Sequence, residues 1–159
     1  MKSIIRPLRS SEHHILREMQ YHALFVPNGA APFPYNILDE PNISKYYTEW
    51  GKTGDLALVV EVDDKVVGAA WCRLFSKTAP GYGFYNEDTP ELNIALLPGN
   101  TGMGLGTQLL KAIIELLKAE GFNGLSLSVD RENRAFELYR KFGFEVVNDQ
   151  GNPTMLLTF

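Results

Sequence analysis

Asn100-Thr-Gly-Met-Gly-Leu-Gly-Thr107 lies between an apolar strand pattern and the strongest helix pattern in the chain, and its reading decides the fold. The first N–H groups of a helix have no partners within it, and the helix dipole favours negative charge there. Glycines at 102, 104 and 106 let backbone wrap closely around a bulky anion, so a phosphate or pyrophosphate is the natural guest. A P-loop is excluded, because Gly106 is followed by Thr107-Gln108 where Lys-Ser/Thr is required. A dinucleotide loop would need its third glycine at Thr107 and would start directly after the strand, whereas Pro98–Thr101 intervene. Asp130, at the end of the next strand pattern, mimics the ribose-binding acid of such a fold and keeps that reading open. On the loop alone, a plain strand-to-helix connection also stays open.

Working outward, Glu91–Leu97 reads as a strand stopped by Pro98-Gly99. Thr107–Glu120 places Leu109, Leu110, Ile113, Ile114 and Leu117 on one helical stripe, with Gly121 as its C-terminal cap. Leu125–Val129 alternates like a half-buried strand, and a second helix is expected over Asn133–Phe142, ended by Gly143. Phe144–Val147 and Thr154–Phe159 are expected as strands around an Asn148–Pro153 turn. Towards the N-terminus, Ile4–Leu8 reads as a strand. A helix capped by Ser10 and Ser11 follows, with Ile15, Leu16, Met19 and Ala23 on one face. Four prolines between Val26 and Pro41 argue for a long loop, followed by a short helix through Ser44–Trp50. Leu56–Val62 and Lys65–Leu74 read as a hairpin turning at Asp63-Asp64, and a loop covers Ser76–Pro90. Early hairpin strands followed by strand–helix–strand predict a mixed α/β sandwich around one sheet, formed as a single domain over residues 1–159.

The chain has 159 residues, enough for one sizeable core, and its 45% hydrophobic and 21% charged residues fit a globular protein. Net charge is -4 with no basic block, which argues against a nucleic-acid partner. A single cysteine, Cys72, rules out an internal disulfide and a multi-cysteine metal site, and its apolar setting reads as a core thiol. His13 and His14 are adjacent on a helix and point in different directions, so no metal site is expected from them or from His22. The opening Met1-Lys-Ser-Ile-Ile-Arg6 lacks the apolar run of a signal peptide, and no segment approaches ~18–20 apolar residues. The expectation is a cytoplasmic protein with no membrane partner.

Two motifs at a set spacing resemble the GNAT superfamily of N-acetyltransferases. Glu91–Pro98 followed by Thr101-Gly-Met-Gly-Leu-Gly106 resembles its strand, Pro-containing turn, [Gln/Arg]-x-x-Gly-x-[Gly/Ala] loop and long helix. Asn133-Arg-Ala-Phe-Glu-Leu-Tyr-Arg-Lys-Phe-Gly-Phe144 resembles its second motif, and Asp64-Lys-Val-Val-Gly-Ala-Ala70 resembles its third strand with the preceding turn. The likeness covers about Asp55 to Phe144. Two positions depart: Thr101 stands where the family usually has Gln or Arg, and Asn133 comes one residue late, with Glu132 in the usual place.

The resemblance implies a mixed α/β fold of about seven strands flanked by about four helices, splayed between the fourth and fifth strands. It further implies acetyl-coenzyme A as co-substrate and a primary amine of a small molecule or peptide as acceptor, with direct attack in a ternary complex. Coenzyme contacts then fall on Leu96, Leu97, Thr101, Gly102, Met103, Gly104, Leu105, Gly106, Thr107 and Asn133. Tyr139 falls on the acid that protonates the leaving sulfur, Glu91 on a position where some relatives carry a glutamate base, and Ser128 on a place for a relay water. Asn133 equally suits a helix N-cap, Tyr139 a core aromatic and Glu91 a strand-end carboxylate. The acceptor wall would come from Tyr21–Trp50 and Tyr82–Pro90, where Tyr21, Phe25, Phe33, Tyr35, Tyr82, Phe84 and Tyr85 stand among Asp39, Glu40, Glu87 and Asp88. Dimerisation is common in folds of this kind, so the resemblance admits a homodimer. A non-catalytic acyl-coenzyme A sensor or interaction module on the same fold is the alternative, supported by Thr101.

Overall fold

Near-continuous apolar runs at Leu56–Val62 (β2) and Lys65–Arg73 (β3), covered on both faces, form a hairpin, because Asp63 and Asp64 both take positive φ, 50° and 70°. Two consecutive residues of that hand suit the right-handed twist of the paired strands. Ser3–Pro7 (β1) adds antiparallel to β2, and Glu91–Leu96 (β4) adds antiparallel to β3. Gly124–Ser128 (β5), Glu145–Asn148 (β6) and Thr154–Thr158 (β7) complete seven strands in the order β1-β2-β3-β4-β5-β7-β6. The computed structural model describes residues 2–159.

Helices cover both faces of this sheet. His14–Ala23 (α1) and Pro41–Ser44 (α2) lie on one, where Leu16 and Met19 pack with Val59, Ala69, Trp71 and Ala95. Leu105–Ala119 (α3) and Ala135–Lys141 (α4) lie on the other. There Leu105, Leu109, Leu110, Ile113, Ile114 and Leu117 are buried with Phe136, Tyr139 and the inward residues of β2 to β5. Each fully buried side chain of that stripe stabilises the fold by roughly 1.5–3 kcal/mol. The expected mixed α/β architecture is therefore present, with seven strands and four α-helices among the described residues.

Local differences have physical causes. Ser10 and Ser11 do not cap α1; they sit in a 3-10 turn over Ser10–Glu12, and the Glu12 carboxylate accepts the Arg9 N–H at 2.9 Å instead. The same carboxylate takes both terminal nitrogens of Arg6, which also pairs with Glu61. The Val26–Pro41 segment contains a further 3-10 turn, Tyr35–Asp39. In place of the helix expected at Ser44–Trp50 a single helical turn spans Pro41–Ser44, started by a proline whose fixed φ suits a first helical position, with residues 45–49 forming turns. Helix α3 starts at Leu105, two residues earlier than its stripe suggested, because Leu105 itself is buried. Helix α4 begins at Ala135 after a turn through Asp130–Arg134. Among the described residues no helix is long and apolar enough to cross a membrane.

Among the described residues β4 and β5 are the one parallel pair of neighbours, and they are joined at a single register position, Glu91 opposite Ser126. Beyond it the two strands diverge. That divergence positions everything described next.

Candidate active site

Two hydrogen bonds set the direction of the β4 backbone. The Leu97 N–H donates to Val67 O at 2.8 Å, and the Ser126 N–H donates to Pro90 O at 2.9 Å. Residues 91, 93, 95 and 97 therefore turn their N–H and C=O groups to β3, and the even positions turn theirs to β5. Because β5 leaves after Ser126, the backbone groups of Ile94 and Leu96 face an open gap. Leu97 does not share it: its N–H is bound to Val67, its carbonyl accepts the Asn100 N–H, and it is absent from the lining of the gap. Of the pair expected to touch a coenzyme arm, the structure places only Leu96 there.

On the α3 side the gap widens into a cavity of about 340 Å³ lined by Leu92 to Leu96, Thr101, Gly106, Leu127 to Val129, Asn133 and Tyr139. The glycine loop closes one end. Gly102 and Gly104 have φ of 76° and 78°, so each needs glycine to avoid backbone strain. Gly106 has no such φ, and a Cβ there would meet only Leu96 Cδ1 at 3.8 Å. The first helical bond of α3 is donated by Gln108 to Gly104 O, which leaves the amides of Leu105, Gly106 and Thr107 without helical partners. Thr101, Gly102, Met103 and Gly104 are exposed at this mouth. An array of free amides at a helix N-terminus can hold an anion, and an apolar slot continuing from it can hold an uncharged arm.

Tyr139 is 6% exposed, packs its ring against Phe144 and lines this cavity. Burial pushes its phenol pKa further up, so the hydroxyl is a proton donor at neutral pH. Asn133 accepts the Ala135 N–H on its side-chain carbonyl at 3.0 Å in a local turn ahead of α4 and lines the gap; the N-cap position itself is held by Arg134, without a side-chain cap bond, so Asn133 is not the helix cap.

On the α1 side lies a larger cavity, about 640 Å³, which shares Ala23 to Phe25, Asn93, Ser128, Val129 and Asn133 with the first. Glu91 and Asn93 reach it because odd positions of β4 face α1. Glu91 is 3% exposed and is not the exposed strand-end carboxylate that its sequence position suggested. Its Oε2 accepts the Tyr46 hydroxyl at 2.5 Å, and Oε1 has no hydrogen-bond partner. Burial raises its pKa to about 7, against the Tyr46 hydrogen bond, the Gly83 N–H and the Lys45 ammonium, which favour the charged form. A carboxyl poised there can take and release a proton under physiological conditions.

The acceptor-side aromatics divide. Phe25, Phe33 and Tyr82 line the larger cavity, whereas Tyr21 donates to Phe33 O and Tyr35 to Glu18. Asp39, Glu40, Glu87 and Asp88 are not in its lining; Asp39 pairs with Arg17, and Glu87 accepts the Lys77 N–H. The carboxylates that do line it are Glu91 and Asp130, and Asp130 accepts the Glu132 N–H within its own turn. Tyr46, Gln20 and Asn93 are site residues that the sequence reading passed over. Gln20 is buried on α1 and accepts the Asn93 amide at 3.4 Å. A glutamine on the apolar face of a helix was the available signal. Cys72 is fully buried, as its setting implied, and His22 pairs with Glu18. Among the described residues no cluster of three metal-ligating side chains is present.

Comparison with known proteins gives this geometry a lineage. Residues 17–144 match the Acetyltransferase (GNAT) family. A probable N-acetyltransferase, san, from Drosophila melanogaster is 31% identical over 106 residues, covering 65% of this chain and 54% of that protein, so the chain spans about half the length of that relative. The [ribosomal protein bS18]-alanine N-acetyltransferase of Haemophilus influenzae is 28% identical over 150 residues, 94% of this chain and 86% of that one. A GNAT family acetyltransferase from Brucella melitensis, solved in complex with acetyl-CoA, superposes with a TM-score of 0.64 at 23% identity, covering 99% of this chain and 88% of the other. At that identity the likeness speaks for the fold.

Proposed function

Since the chain belongs to the acetyltransferase (GNAT) family, we propose that it transfers an acetyl group from acetyl-coenzyme A to a primary amine of a small molecule or a peptide, within a ternary complex. One observation carries this reading. The gap between β4 and β5 opens at one end on the free amides of α3 and at the other on a buried carboxyl near neutrality.

Acetyl-coenzyme A supplies the activated thioester. The amides of Leu105, Gly106 and Thr107 hold its pyrophosphate, with Gly102 and Gly104 shaping the approach and Thr101 and Met103 at the rim. Thr101 offers a hydroxyl where relatives present a longer side chain, so the grip rests mainly on backbone. The Ile94 and Leu96 backbone groups orient the pantetheine arm as a third strand would, and a free N–H of this stretch faces the developing oxyanion. Asn133 bounds the arm on the α4 side.

An alkyl ammonium must lose a proton before it can attack the thioester carbon. Glu91 takes that proton, through water held near Ser128. The new C–N bond forms as the C–S bond breaks, the Tyr139 hydroxyl donates its proton to the departing sulfur, and the second proton shed by the nitrogen passes through water to restore the Tyr139 hydroxyl. Residues 1–159 act as one acetyltransferase domain in this reading, and a cytoplasmic setting supplies both substrates.

A panel of small amines and short unblocked peptides, incubated with acetyl-coenzyme A and read by a mass gain of one acetyl group, tests the proposal. Transfer to at least one class supports it. Coenzyme binding without transfer to any amine would favour the sensor alternative.

A further inference from the structure

Tyr46 lies in the turn after α2, 45 residues before Glu91 in sequence, yet its hydroxyl sits on the Glu91 carboxyl. That hydroxyl has two bonds of defined sense. It accepts the Tyr82 N–H at 2.7 Å and donates to Glu91 Oε2 at 2.5 Å. A phenol has one proton, and an incoming N–H occupies its acceptor side, so the proton is committed to Oε2. The Tyr46 backbone is itself held, because the Trp71 indole donates to its carbonyl at 3.2 Å, and its ring packs edge-on against Phe75.

The Gly81–Gly83 turn closes over the same carboxyl. A Cβ at Gly81 would run into Glu91 Oε1, and one at Gly83 would run into the backbone of Leu127 and Ser128. Neither glycine has a positive φ, so close approach is what excludes larger residues here. The turn touches the carboxyl, the phenol and β5 together.

We propose that Tyr46, clasped by the Gly81–Gly83 turn, is a positioning residue that fixes the Glu91 carboxyl for receipt of the acceptor's proton. This rests on Glu91 being the base. The proton that leaves the ammonium arrives on the Glu91 carboxyl, which lines the larger cavity, and the neutral carboxyl later returns it to solvent through that cavity. No other co-reactant is needed.

The charged and titratable groups around Glu91 are few. The turn after α2 brings Tyr46 and Lys45, whose ammonium is bound to Pro80 O. β3 brings Arg73 opposite Glu91, already held by Asp55 and by the carbonyls of Lys45 and Thr48. α1 brings the neutral Gln20, the loop brings Tyr82 and Gly83, β5 brings Ser126 and Ser128, and Asp130 lies beyond its end in the same cavity. Tyr46 is therefore the one side chain that donates to this carboxyl.

The test is the pH profile of kcat/KM for the wild type, Tyr46→Phe, Gly81→Ala and Glu91→Gln. A hydrogen bond to a charged group is strong enough to move a pKa by about one unit. Tyr46→Phe should move the acidic limb up by about that much, with activity recovered at high pH and KM for acetyl-coenzyme A unchanged. Gly81→Ala, whose Cβ would crowd both Glu91 Oε1 and the Tyr46 hydroxyl while the phenol stays chemically present, should lower the plateau at least several-fold at unchanged coenzyme affinity. A Tyr46→Phe enzyme with its limb in place and a uniformly lower rate would overturn the proposal, as would a fully active Gly81→Ala. Full activity of Glu91→Gln would instead remove Glu91 as the base.

Discussion

Tyr139 and Glu91 occupy opposite sides of one strand gap, and burial acts on both in the same direction with opposite chemical consequences. A phenol raised further above its usual range stays protonated and can donate; a carboxylate raised to about 7 becomes a base that can also let go. Tyr139→Phe should lower turnover by about two orders of magnitude, the usual size of a positioned acid, and leave acetyl-coenzyme A affinity intact by calorimetry. For Glu91 the shift also governs stability. Its folded pKa lies above the ordinary 4.5, so the folded protein keeps a proton that the unfolded chain has lost, and stability falls as pH rises from 4.5 through about 7. Glu91→Gln removes that penalty. Its Tm relative to wild type should therefore rise between pH 5 and pH 8, and a difference that stays flat with pH would contradict the buried, titrating carboxyl.

At the scale of elements, what sequence reveals depends on how local its cause is. The α3 stripe, the Gly121 cap and the Asp63-Asp64 hairpin rest on spacing within a few residues, and all three are present in the fold. The capping of α1 was misassigned, because Ser10 and Ser11 fit the local rule while the Glu12 carboxylate, held also by Arg6 from β1, takes the Arg9 N–H. Tyr46 was out of reach for the same reason: its partner Glu91 is brought to it by β3 and β4, and no short motif encodes that meeting. Leu97 shows the converse, since the strand was legible but the parity of its hydrogen bonds was not. The glycine loop offers a clean test of an element. Gly104→Ala meets no atom within 4 Å but must keep φ near 78°, which costs about 1–2 kcal/mol. Chemical denaturation should show that loss, and acetyl-coenzyme A should bind more weakly, because the amides of the first α3 turn lose their set direction. Gly106→Ala, free of that φ, should lose far less stability.

The whole molecule divides its labour across the sheet. One core holds α3 and α4, with the glycine loop and Tyr139, against one face of the sheet, and the other holds α1, with Gln20, against the face that presents Glu91. The two cavities meet only where β4 and β5 part, at Asn93, Ser128, Val129 and Asn133 on the lining they share with the end of α1. A donor and an acceptor entering from opposite faces would therefore meet between Glu91 and Tyr139. The measurement that bears on this most directly is a crystal structure with acetyl-coenzyme A bound. The pyrophosphate should lie on the amides of Leu105–Thr107, the arm should run along the Ile94 and Leu96 backbone, and the thioester sulfur should come within hydrogen-bond reach of the Tyr139 hydroxyl. A coenzyme bound elsewhere, with the gap between β4 and β5 left unfilled, would contradict the account.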